Sequence, residues 1–457
     1  MPMSGNDTIC SLATATGGAL CIIRISGDYA VKIACAVCDG ISINTPANTV
    51  RHSDFLDADG NVIDDVMVSV FRAPHSYTGE DSVEISCHGS RYIAGKIVET
   101  LITKGCRQAM PGEYTQRAFL NGKIGLEQAE AVADLIASTN AATHRMALAQ
   151  LRGSISSELL ALRGKLLKMT SLLELELDFS DHEDIEFADR SELLSLAREI
   201  DFKIKKLVLS FETGNAIKHG IPVAIIGNTN VGKSTLLNRL IGDERAIVSD
   251  IHGTTRDTIE DTLEIKGVQF RFIDTAGLRK TTDEIERIGI NRTYKAIEKA
   301  RIVLWVIDER PENKDFEEML KRTEGKSLII VRNKIDKNPV SFETGSKLSS
   351  HISYVEISAK KDIGIENLEE QIFNSTNIPE FTENDVIITS ARHYDALLKA
   401  HAEIEDAIKS LENGISGDLV AEDLRMVLHT LSEITGKGII TSDEVLHSIF
   451  RDFCVGK

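Results

Sequence analysis

The sequence predicts a multidomain α/β protein with an N-terminal α+β domain, a split helical domain and an α/β domain inserted into the helical one. Three observations predict this arrangement. Short β-rich runs come first, alanine- and leucine-rich helical sequence follows, and a central block of apolar runs and glycine-rich loops precedes more helical sequence. We expect the N-terminal domain at 1–120, the helical domain at 121–218 and 379–457, and the inserted domain at 219–378.

Periodicity supports each element of the N-terminal domain. Residues 19–25, 66–71 and 82–86 alternate or run apolar, as strands do, whereas the apolar residues of 93–104 recur at helical spacing. Strands mixed with a helix in so short a stretch indicate a small α+β domain.

The helical domain is predicted from composition and spacing. From 126 to about 215 there is no proline, and apolar residues recur three and four positions apart. The acidic stretch 178–186 interrupts this pattern, and a solvated turn is favoured there over a metal site. Three further helices are expected at 394–412, 418–434 and 442–453.

The inserted domain opens with a phosphate-binding loop. Ile221–Ile226 is typical of a buried strand, Gly227–Ser234 has the sequence GNTNVGKS, and helical sequence follows. In such a loop main-chain N–H groups surround phosphates, Lys233 supplies a charge for the β- and γ-phosphates, and the Ser234 hydroxyl ligates Mg²⁺. The strand before and the helix after favour this interpretation over an ordinary glycine-rich turn.

Three further segments identify the nucleotide. Asp274–Gly277, DTAG, ends a strand, so the aspartate can hold Mg²⁺ through water and the glycine N–H can meet the γ-phosphate. Asn333–Asp336, NKID, ends another strand, and its carboxylate suits the N1–H and 2-amino donors of guanine, which adenine lacks. Ser358–Lys360 resembles the loop that closes over guanine. The inserted domain is therefore predicted to be a GTPase of Ras-like α/β fold.

Composition bounds the remaining properties. A chain of 457 residues, 42% hydrophobic and 27% charged, suits a folded protein of two to four domains. No apolar stretch approaches the roughly 20 residues of a membrane helix, and the N-terminus lacks the features of a secretory signal, so a cytoplasmic protein without membrane contact is expected. A net charge of −18 without a basic cluster argues against tight RNA binding by this chain alone.

The seven cysteines do not suggest a metal site. Cys35 and Cys38 have metal-ligand spacing, but no second pair accompanies them. Because they lie in a stretch with helical spacing, buried structural thiols are favoured over zinc ligands.

Hydrolysis poses a separate question. In many GTPases a glutamine after DTAG orients the attacking water, whereas here the residue is Leu278. Either hydrolysis is very slow or another group takes this task. Nearby polar and basic candidates, among which composition does not choose, are Thr281, Thr282, Asp283, Glu284, Glu286, Arg256, Arg279 and Arg287.

The chain resembles the MnmE (TrmE) family of tRNA modification GTPases over nearly its whole length. A generic translation GTPase would share only the central motifs. The segments that carry the resemblance are Ile23–Gly27, Tyr77–Asp81, Arg117–Lys123, Gly227–Asn238, Asp250–Asp257, Asp274–Arg279, Glu284–Gly289 and Phe453–Lys457.

The resemblance implies a homodimer that acts with a flavoprotein partner, MnmG (GidA), in a heterotetramer or a larger complex. Together they would install a (carboxymethyl)aminomethyl group on carbon 5 of the wobble uridine of certain tRNAs. 5-Formyltetrahydrofolate or a related tetrahydrofolate would supply the one-carbon unit, and the partner would carry FAD and NADH. The tRNA would be bound largely through the partner, which agrees with the acidic charge of this chain.

The resemblance also implies how GTP is hydrolysed without the glutamine. K⁺ would offset transition-state charge when two GTPase domains meet, with Asn230, Ser249, Ile251 and Thr254 as its ligands. Ser234 and Thr255 would hold Mg²⁺, and Glu286 would position water. The residues implied to bind GTP are Asn230, Val231, Gly232, Lys233, Ser234, Thr235, Ser249, Thr254, Thr255, Asp274, Thr275, Ala276, Gly277, Asn333, Lys334, Asp336, Ser358, Ala359 and Lys360.

For the folate, the resemblance assigns four residues, Arg24, Glu84, Lys123 and Lys457. A carboxylate suits the amide-and-amine edge of a pterin, and basic side chains suit the glutamyl tail. The chain departs from the family at 13–18, where a Pro-Pro-Gly-rich segment is usual, so the loop at the rim of the folate pocket can differ.

Two further residues, Cys454 and His88, are interpreted separately from the folate set. Cys454 matches the family's functionally important terminal cysteine, and a role in mechanism and a role in packing are equally open for it. His88 is interpreted as structural.

The central GTPase motifs also occur in two other classes of protein. A ribosome-assembly or regulatory switch gated by GTP would have no folate chemistry, and the FCVGK terminus together with Arg24, Glu84 and Lys123 argues against it. A membrane-transport GTPase is not supported, because no segment could span a membrane.

Overall fold

The computed structural model describes residues 7–178, 189–242, 261–273, 294–338, 351–376, 385–436 and 456. The chain divides into two compact units. One comprises Met1–Ile136, Gln150–Ile204 and Asp395–Lys457, and the other comprises Ala137–Ala149 and Lys205–Tyr394. The finer domain limits expected from the sequence stay predictions.

The N-terminal part of the first unit is an α+β domain. Its strands are β1 (Ile9–Leu12), β2 (Leu20–Ser26), β3 (Thr49–Leu56), β4 (Val62–Phe71), β5 (Ser82–His88) and β6 (Arg107–Gln108). Its helices are α1 (Ala30–Cys35), α2 (Arg91–Thr103) and α3 (Glu113–Leu120). The strands form one sheet in the order β3-β4-β5-β2-β1-β6, antiparallel except for β1 and β6. The three strands and the helix predicted here are confirmed.

Strand β2 shows how this sheet separates its core from its opposite face. Cys21, Ile23 and Ile25 are buried in the core beneath the helices. Arg24 lies between them in sequence, so the pleat directs its side chain to the opposite face. In the register of β2 and β5, Arg24 is directly opposite Glu84.

Long helices follow the N-terminal domain, as the sequence predicts. They are α4 (Leu126–Ala137), α5 (Ala141–Leu151), α6 (Ser154–Asp178) and α7 (Arg190–His219). Most of the acidic stretch 178–186 lies outside the described residues, so its predicted turn stays a prediction.

The second unit contains the predicted nucleotide-binding fold. Its strands are β7 (Ile221–Ile226), β8 (Asp261–Ile265), β9 (Val268–Phe272), β10 (Ile302–Ile307), β11 (Ser327–Arg332) and β12 (Ile352–Glu356). Its helices include α8 (Lys233–Ile241), α9 (Asn313–Arg322) and α10 (Ile365–Asn374), and residues 294–299 are also helical. The sheet order is β12-β11-β10-β7-β9-β8, parallel except for β8 and β9.

The order of the strands in this sheet indicates where a ligand would bind. All six residues of β10 are buried, as in a parallel sheet covered on both faces. The strands that follow β7 in sequence lie on one side of it, and the later strands lie on the other. In such sheets ligands bind beyond the carboxyl ends of the strands where the order reverses. The loops after β7, β11 and β12 open at this edge.

Two helices complete the described chain, α11 (Ala391–Glu412) and α12 (Gly417–Thr435). They confirm the helices predicted at 394–412 and 418–434, whereas the one predicted at 442–453 lies outside the described residues. Helix α12 packs against α6, across the interruption by the α/β sheet. The predicted fold class, with a helical domain split by an inserted α/β domain, is therefore confirmed. Among the described residues, no helix has the length and apolar character needed to cross a membrane.

Candidate functional site

The phosphate loop connects β7 to α8, as predicted. Gly227 has φ +142°, and a Cβ there would lie 2.1 Å from the carbonyl oxygen of Val306, so the loop can approach β10 only with glycine at this position. Helix α8 begins at Lys233, and its first N–H groups have no partner within the helix. The positive end of the helix and these N–H groups suit an anion.

The lysine of this loop is held over the loop's own main chain. Its Nζ donates to the carbonyl oxygens of Gly227 and Asn228, at 2.8 and 2.6 Å. Burial lowers the pKa of Lys233 below the usual value of 10.5. A triphosphate at the N-terminus of α8 would replace neutral carbonyl partners with charged ones and stabilise the ammonium form.

The NKID loop begins where β11 ends. The Asn333 side chain is almost fully buried: its Nδ2 donates to the carbonyl of Val231 at 2.8 Å, and its Oδ1 accepts from the N–H of Ala359 at 3.0 Å. The same Oδ1 of Asn333 also accepts a hydrogen bond from the N–H of Lys334 at 2.8 Å. One amide group therefore joins the phosphate loop, the NKID loop and the loop after β12.

Gly232 makes this junction possible. It has φ +99°, and a Cβ there would lie 2.3 Å from Nδ2 of Asn333. Any side chain at this position would collide with the amide that connects the loops.

The predicted guanine-binding carboxylate is held by the loop after β12. Ser358 Oγ donates to Oδ1 of Asp336 at 2.6 Å, and this hydrogen bond keeps the pKa of Asp336 below its usual range. The carboxylate is thus ionised at neutral pH and accepts hydrogen bonds without donating them. Lys334 Nζ pairs with Asp308 at 2.7 Å, and Lys360 is exposed at the rim.

A second cluster lies on the N-terminal sheet. Arg24 Nε and Nη2 lie 2.9 and 2.7 Å from Oε1 of Glu84, so the two predicted folate-binding residues form a directed ion pair. The guanidinium carbon lies 5.5 Å from the ring centres of both Tyr77 and Tyr114. Arg24 Nη1 also donates to the carbonyl of Gly456 at 3.3 Å, next to the predicted residue Lys457.

Lys123 belongs to the margin of this cluster. It is exposed, and its Nζ donates to the carbonyl of Pro74 at 2.8 Å. Its side-chain carbons lie close to Gly79, so it contacts the loop that carries Tyr77.

Comparisons with known proteins decide the family. The profile described as "MnmE helical domain" matches residues 126–454, and that described as "GTP-binding protein TrmE N-terminus" matches 8–123. The tRNA modification GTPase MnmE of Phocaeicola vulgatus is 49% identical and covers 100% of each chain. Those of Parabacteroides distasonis and Bacteroides fragilis are 51% and 50% identical, over 99% of this chain and 100% and 99% of their own.

The chain belongs to the MnmE family.

The comparison with solved structures gives less information about this chain than the comparison with related sequences. The G domain of the T. maritima FeoB iron transporter is 26% identical and covers 34% of the MnmE-family chain and 98% of its own. Its TM-score of 0.26 is too low to support a conclusion about the fold.

Part of the predicted site of this MnmE-family chain falls outside the described residues. Asn230, in the phosphate loop, is the member of the predicted potassium set that is described; it is exposed and has φ +63°. Those outside are Ser249, Ile251, Thr254, Thr255, Asp274, Thr275, Ala276, Gly277, Glu286, Cys454 and Lys457, together with Arg256, Leu278, Arg279, Thr281, Thr282, Asp283, Glu284 and Arg287.

Sequence reasoning missed the aromatic residues around Arg24. Tyr114 is fully buried, donates to the carbonyl of Arg24 at 2.8 Å and accepts from Ser11 at 3.3 Å. Burial raises its pKa, so the hydroxyl stays a donor. Tyr77 shares a hydrogen bond of 2.8 Å with Thr115. Tyr77 opens a segment that carries the MnmE resemblance, which was the available signal, whereas nothing in the sequence marked Tyr114.

The cysteines agree with a structural role. Burial raises the pKa of Cys38 to about 12, so its thiolate, the form that binds zinc, is disfavoured. Cys21 and Cys87 face each other across β2 and β5 with sulfurs 3.3 Å apart, in the same core.

Two histidines contact carboxylates. Nδ1 of His88, at the end of β5, lies 2.8 Å from a carboxylate oxygen of Asp64 on β4, and the structural role expected for His88 stays a prediction. Nδ1 of His401 lies 2.7 Å from Asp201, and its Nε2 lies 3.5 Å from Glu405. One possible ligand atom from each of these three residues lies within 4.8 Å of the others, and their contacts connect α7 to α11.

Proposed function

We propose that this MnmE-family protein hydrolyses GTP and that hydrolysis serves the modification of tRNA. The observation that carries the proposal is the Asp336 carboxylate, which accepts a hydrogen bond from Ser358 and lies in the loop that Asn333 connects to the phosphate loop. A carboxylate at this edge of the sheet satisfies both donors of guanine's N1 and 2-amino positions. Adenine lacks both donors and would leave the carboxylate unpaired, which disfavours ATP.

A change of base specificity tests this assignment. In Asp336→Asn the side-chain amide still accepts from N1–H but now presents a donor, which repels the 2-amino group of guanine and matches the 2-oxo group of xanthine. We expect GDP affinity to fall about 100-fold and XDP affinity to rise, because the 2-amino donor of guanine then meets another donor, whereas the 2-oxo group of xanthine meets a matching one. Asp315→Asn, on the exposed surface of α9, is the matched control. An unchanged preference for GDP in Asp336→Asn would contradict the proposed base site.

For catalysis, the protein groups that we propose are those of the phosphate loop and of Glu286. Lys233 would contact the β- and γ-phosphates, Ser234 with Thr255 would hold Mg²⁺, and Glu286 would orient water in place of the glutamine that Leu278 replaces. Asn230, with Ser249, Ile251 and Thr254, would hold K⁺; its exposed side-chain oxygen is of the type that hard cations prefer. Bound there, K⁺ would supply fixed positive charge near the phosphate chain.

The potassium hypothesis is tested by cation choice and concentration. GTP hydrolysis is measured in KCl and in NaCl at equal ionic strength while the enzyme concentration is raised. We expect a higher rate in KCl that increases with enzyme concentration, since two GTPase domains must meet. Equal rates in both salts would contradict it. Glu286→Ala should nearly abolish turnover while GTP affinity stays within a few-fold, and unchanged turnover would remove Glu286 from this role.

We further propose that the Arg24 cluster binds a tetrahydrofolate and that the protein acts on the wobble uridine as a homodimer with the flavoprotein MnmG. Glu84 presents a carboxylate to a pterin edge, and the exposed Tyr77 offers a ring face beside Arg24, whose guanidinium also lies near the ring of the buried Tyr114. Lys123 and Lys457 would neutralise the glutamyl tail. The folate would supply the one-carbon unit, and FAD, NADH and most contacts to tRNA would belong to the partner. A cytoplasmic location stays a prediction.

Folate binding separates this proposal from a GTP-gated ribosome-assembly or regulatory switch. We expect 5-formyltetrahydrofolate to bind the wild-type protein and Glu84→Gln to bind it about tenfold more weakly, because a charge-assisted hydrogen bond is lost. GTP hydrolysis by Glu84→Gln should be unchanged. Glu99→Gln, whose carboxylate pairs with Lys96 at 2.8 Å on the exposed side of α2, is the matched control. Absence of folate binding in the wild type would favour the switch.

A further inference from the structure

The last residue of β11 is an arginine whose side chain is only 2% exposed. Arg332 is among the largest fully buried side chains of the described residues, although it carries a charge. A buried guanidinium is costly unless its donors are satisfied, so its partners explain why it is tolerated. It directly precedes Asn333, the first residue of the NKID loop.

Arg332 connects two strands and the end of that loop. Its Nη1 lies 2.8 Å from Oε1 of Glu356, which is its register partner on β12. Its Nη2 donates to the carbonyl of Asn338 at 2.6 Å. Tyr354 also donates to Oε1 of Glu356, at 3.0 Å, which fixes the carboxylate from a second side.

The contact with Asn338 closes the NKID loop against the Arg332 guanidinium. The N–H groups of Lys337 and Asn338 donate to the carbonyl of Lys334, at 2.9 and 3.2 Å, so the chain turns tightly from Lys334 to Asn338. The loop thus starts at the main chain of Arg332 and ends at its side chain. Asp336 lies inside this closed turn.

Glu356, the partner of Arg332, is also close to the loop after β12, which carries Ser358. Glu356 lies two residues before Ser358, which donates to Asp336. In addition, the N–H of Ile357 donates to the carbonyl of Arg332 at 2.7 Å. The planar fork of an arginine can hold a carboxylate and a carbonyl at the same time, which a lysine cannot do with one fixed geometry.

We propose that Arg332 is a positioning residue for guanine, which, through Glu356 and Asn338, sets the place of the Asp336 carboxylate and so the preference for a base with a 2-amino group. It acts from beneath the two loops and does not touch the nucleotide. This inference rests on the proposed guanine site.

The test compares GDP with IDP, which differs from GDP in lacking the 2-amino group. The variants are Arg332→Met, Arg332→Lys and Glu356→Gln in the full-length chain. The control is Arg301→Met, because Arg301 also donates to a main-chain carbonyl, that of Thr376 at 3.5 Å, but at the opposite edge of the same sheet. Dissociation constants are measured by titration, and folding is checked by circular dichroism.

In Arg332→Met we expect GDP affinity to fall about tenfold, the effect of one badly placed hydrogen bond, while IDP affinity falls less. The GDP preference should therefore shrink, and Arg332→Lys and Glu356→Gln should shift it in the same direction. A purely structural role would weaken GDP and IDP binding by the same factor, and that result overturns the inference. If Arg332→Met does not fold, Arg332→Lys decides in the same way.

The inference and the proposed function can fail separately. If the wild-type protein does not prefer GDP over IDP, the guanine site itself is wrong. If the wild type has this preference and the folded Arg332 variants keep it unchanged, only the positioning role is wrong. Arg301→Met should leave the preference unaltered in either case.

Discussion

Replacing Gly232 by alanine tests the geometry that joins the phosphate loop to the base loop. The backbone there has φ +99°, and a residue with a Cβ in a left-handed conformation costs about 1–2 kcal/mol. The added Cβ would also lie 2.3 Å from Nδ2 of Asn333, far inside contact distance, so the amide has to move.

The cost of that movement follows from the hydrogen bonds of Asn333. Its amide bonds to Val231, Lys334 and Ala359 at 2.8, 2.8 and 3.0 Å. Each such bond contributes about 1 kcal/mol net, so losing all three makes the binding arrangement about 3 kcal/mol less favourable. This corresponds to a dissociation constant for GDP about 100-fold higher.

A second glycine separates collision from backbone strain. Gly325 lies in the same domain with φ +76°, and a Cβ there would meet nothing within 4 Å. Gly325→Ala therefore carries the cost of the left-handed backbone without displacing a neighbour. Titration with a fluorescent GDP analogue should show near-wild-type affinity for Gly325→Ala and the large loss for Gly232→Ala. Equal affinities of the two variants would refute the reasoning.

Three other predictions concern the N-terminal domain. Burial tends to raise the pKa of Glu113, but hydrogen bonds from Arg107, the N–H of Met110 and Arg117 outweigh it and hold the pKa below the usual 4.5. The contribution of ionised Glu113 to the free energy of unfolding is therefore complete above about pH 4.5 and is lost as the pH falls through the lowered pKa. Thermal unfolding from pH 6 to 3 should show this decline. Arg117→Met should lower the unfolding temperature at pH 7 and make that temperature depend less on pH. Gly456→Ala would place a Cβ 2.4 Å from the carbonyl oxygen of Leu12 and shift the Gly456 carbonyl away from Arg24. We therefore expect calorimetry to show several-fold weaker binding of 5-formyltetrahydrofolate, at an unchanged GTPase rate. Equal folate affinity of this variant and the wild type would contradict a role of this contact in folate binding. Because burial raises the pKa of Cys38 and Cys87 to about 12, iodoacetamide at pH 8 should leave both unmodified in the folded protein and alkylate them after unfolding in guanidinium, as read by peptide mass spectrometry; labelling of the folded protein would show that the thiols are accessible.

The sequence predicted those parts of the site whose chemistry is contiguous. GNTNVGKS lies between a strand and a helix, and NKID follows a strand, so the local pattern suffices to place a phosphate loop and a carboxylate at strand ends. Periodicity likewise predicted β2, β4, β5 and the long helices, because burial of one face repeats with a fixed spacing, whereas β1, β3, β6, β8 and β10 were not predicted. Arg24 and Glu84 were assigned to folate only through the family resemblance, and the structure shows that the register of β2 and β5 places them in contact.

The remainder depends on contacts between residues distant in sequence. Nothing local indicates that Asn333 bonds to Val231, 102 positions earlier, or that Gly232 must lack a side chain for this reason. The burial of Arg332 and the closeness of Tyr114 to Arg24 are equally invisible, since an isolated arginine or tyrosine is usually exposed or half-buried.

By itself, therefore, the sequence determined which elements form and which chemical groups their ends carry, because helix and strand periods and glycine-rich turns are properties of neighbouring residues. The tertiary structure decided how these groups act together. The order of the parallel strands places the loops after β7, β11 and β12 at one edge, and only there can one buried amide and one buried guanidinium hold them in a common arrangement.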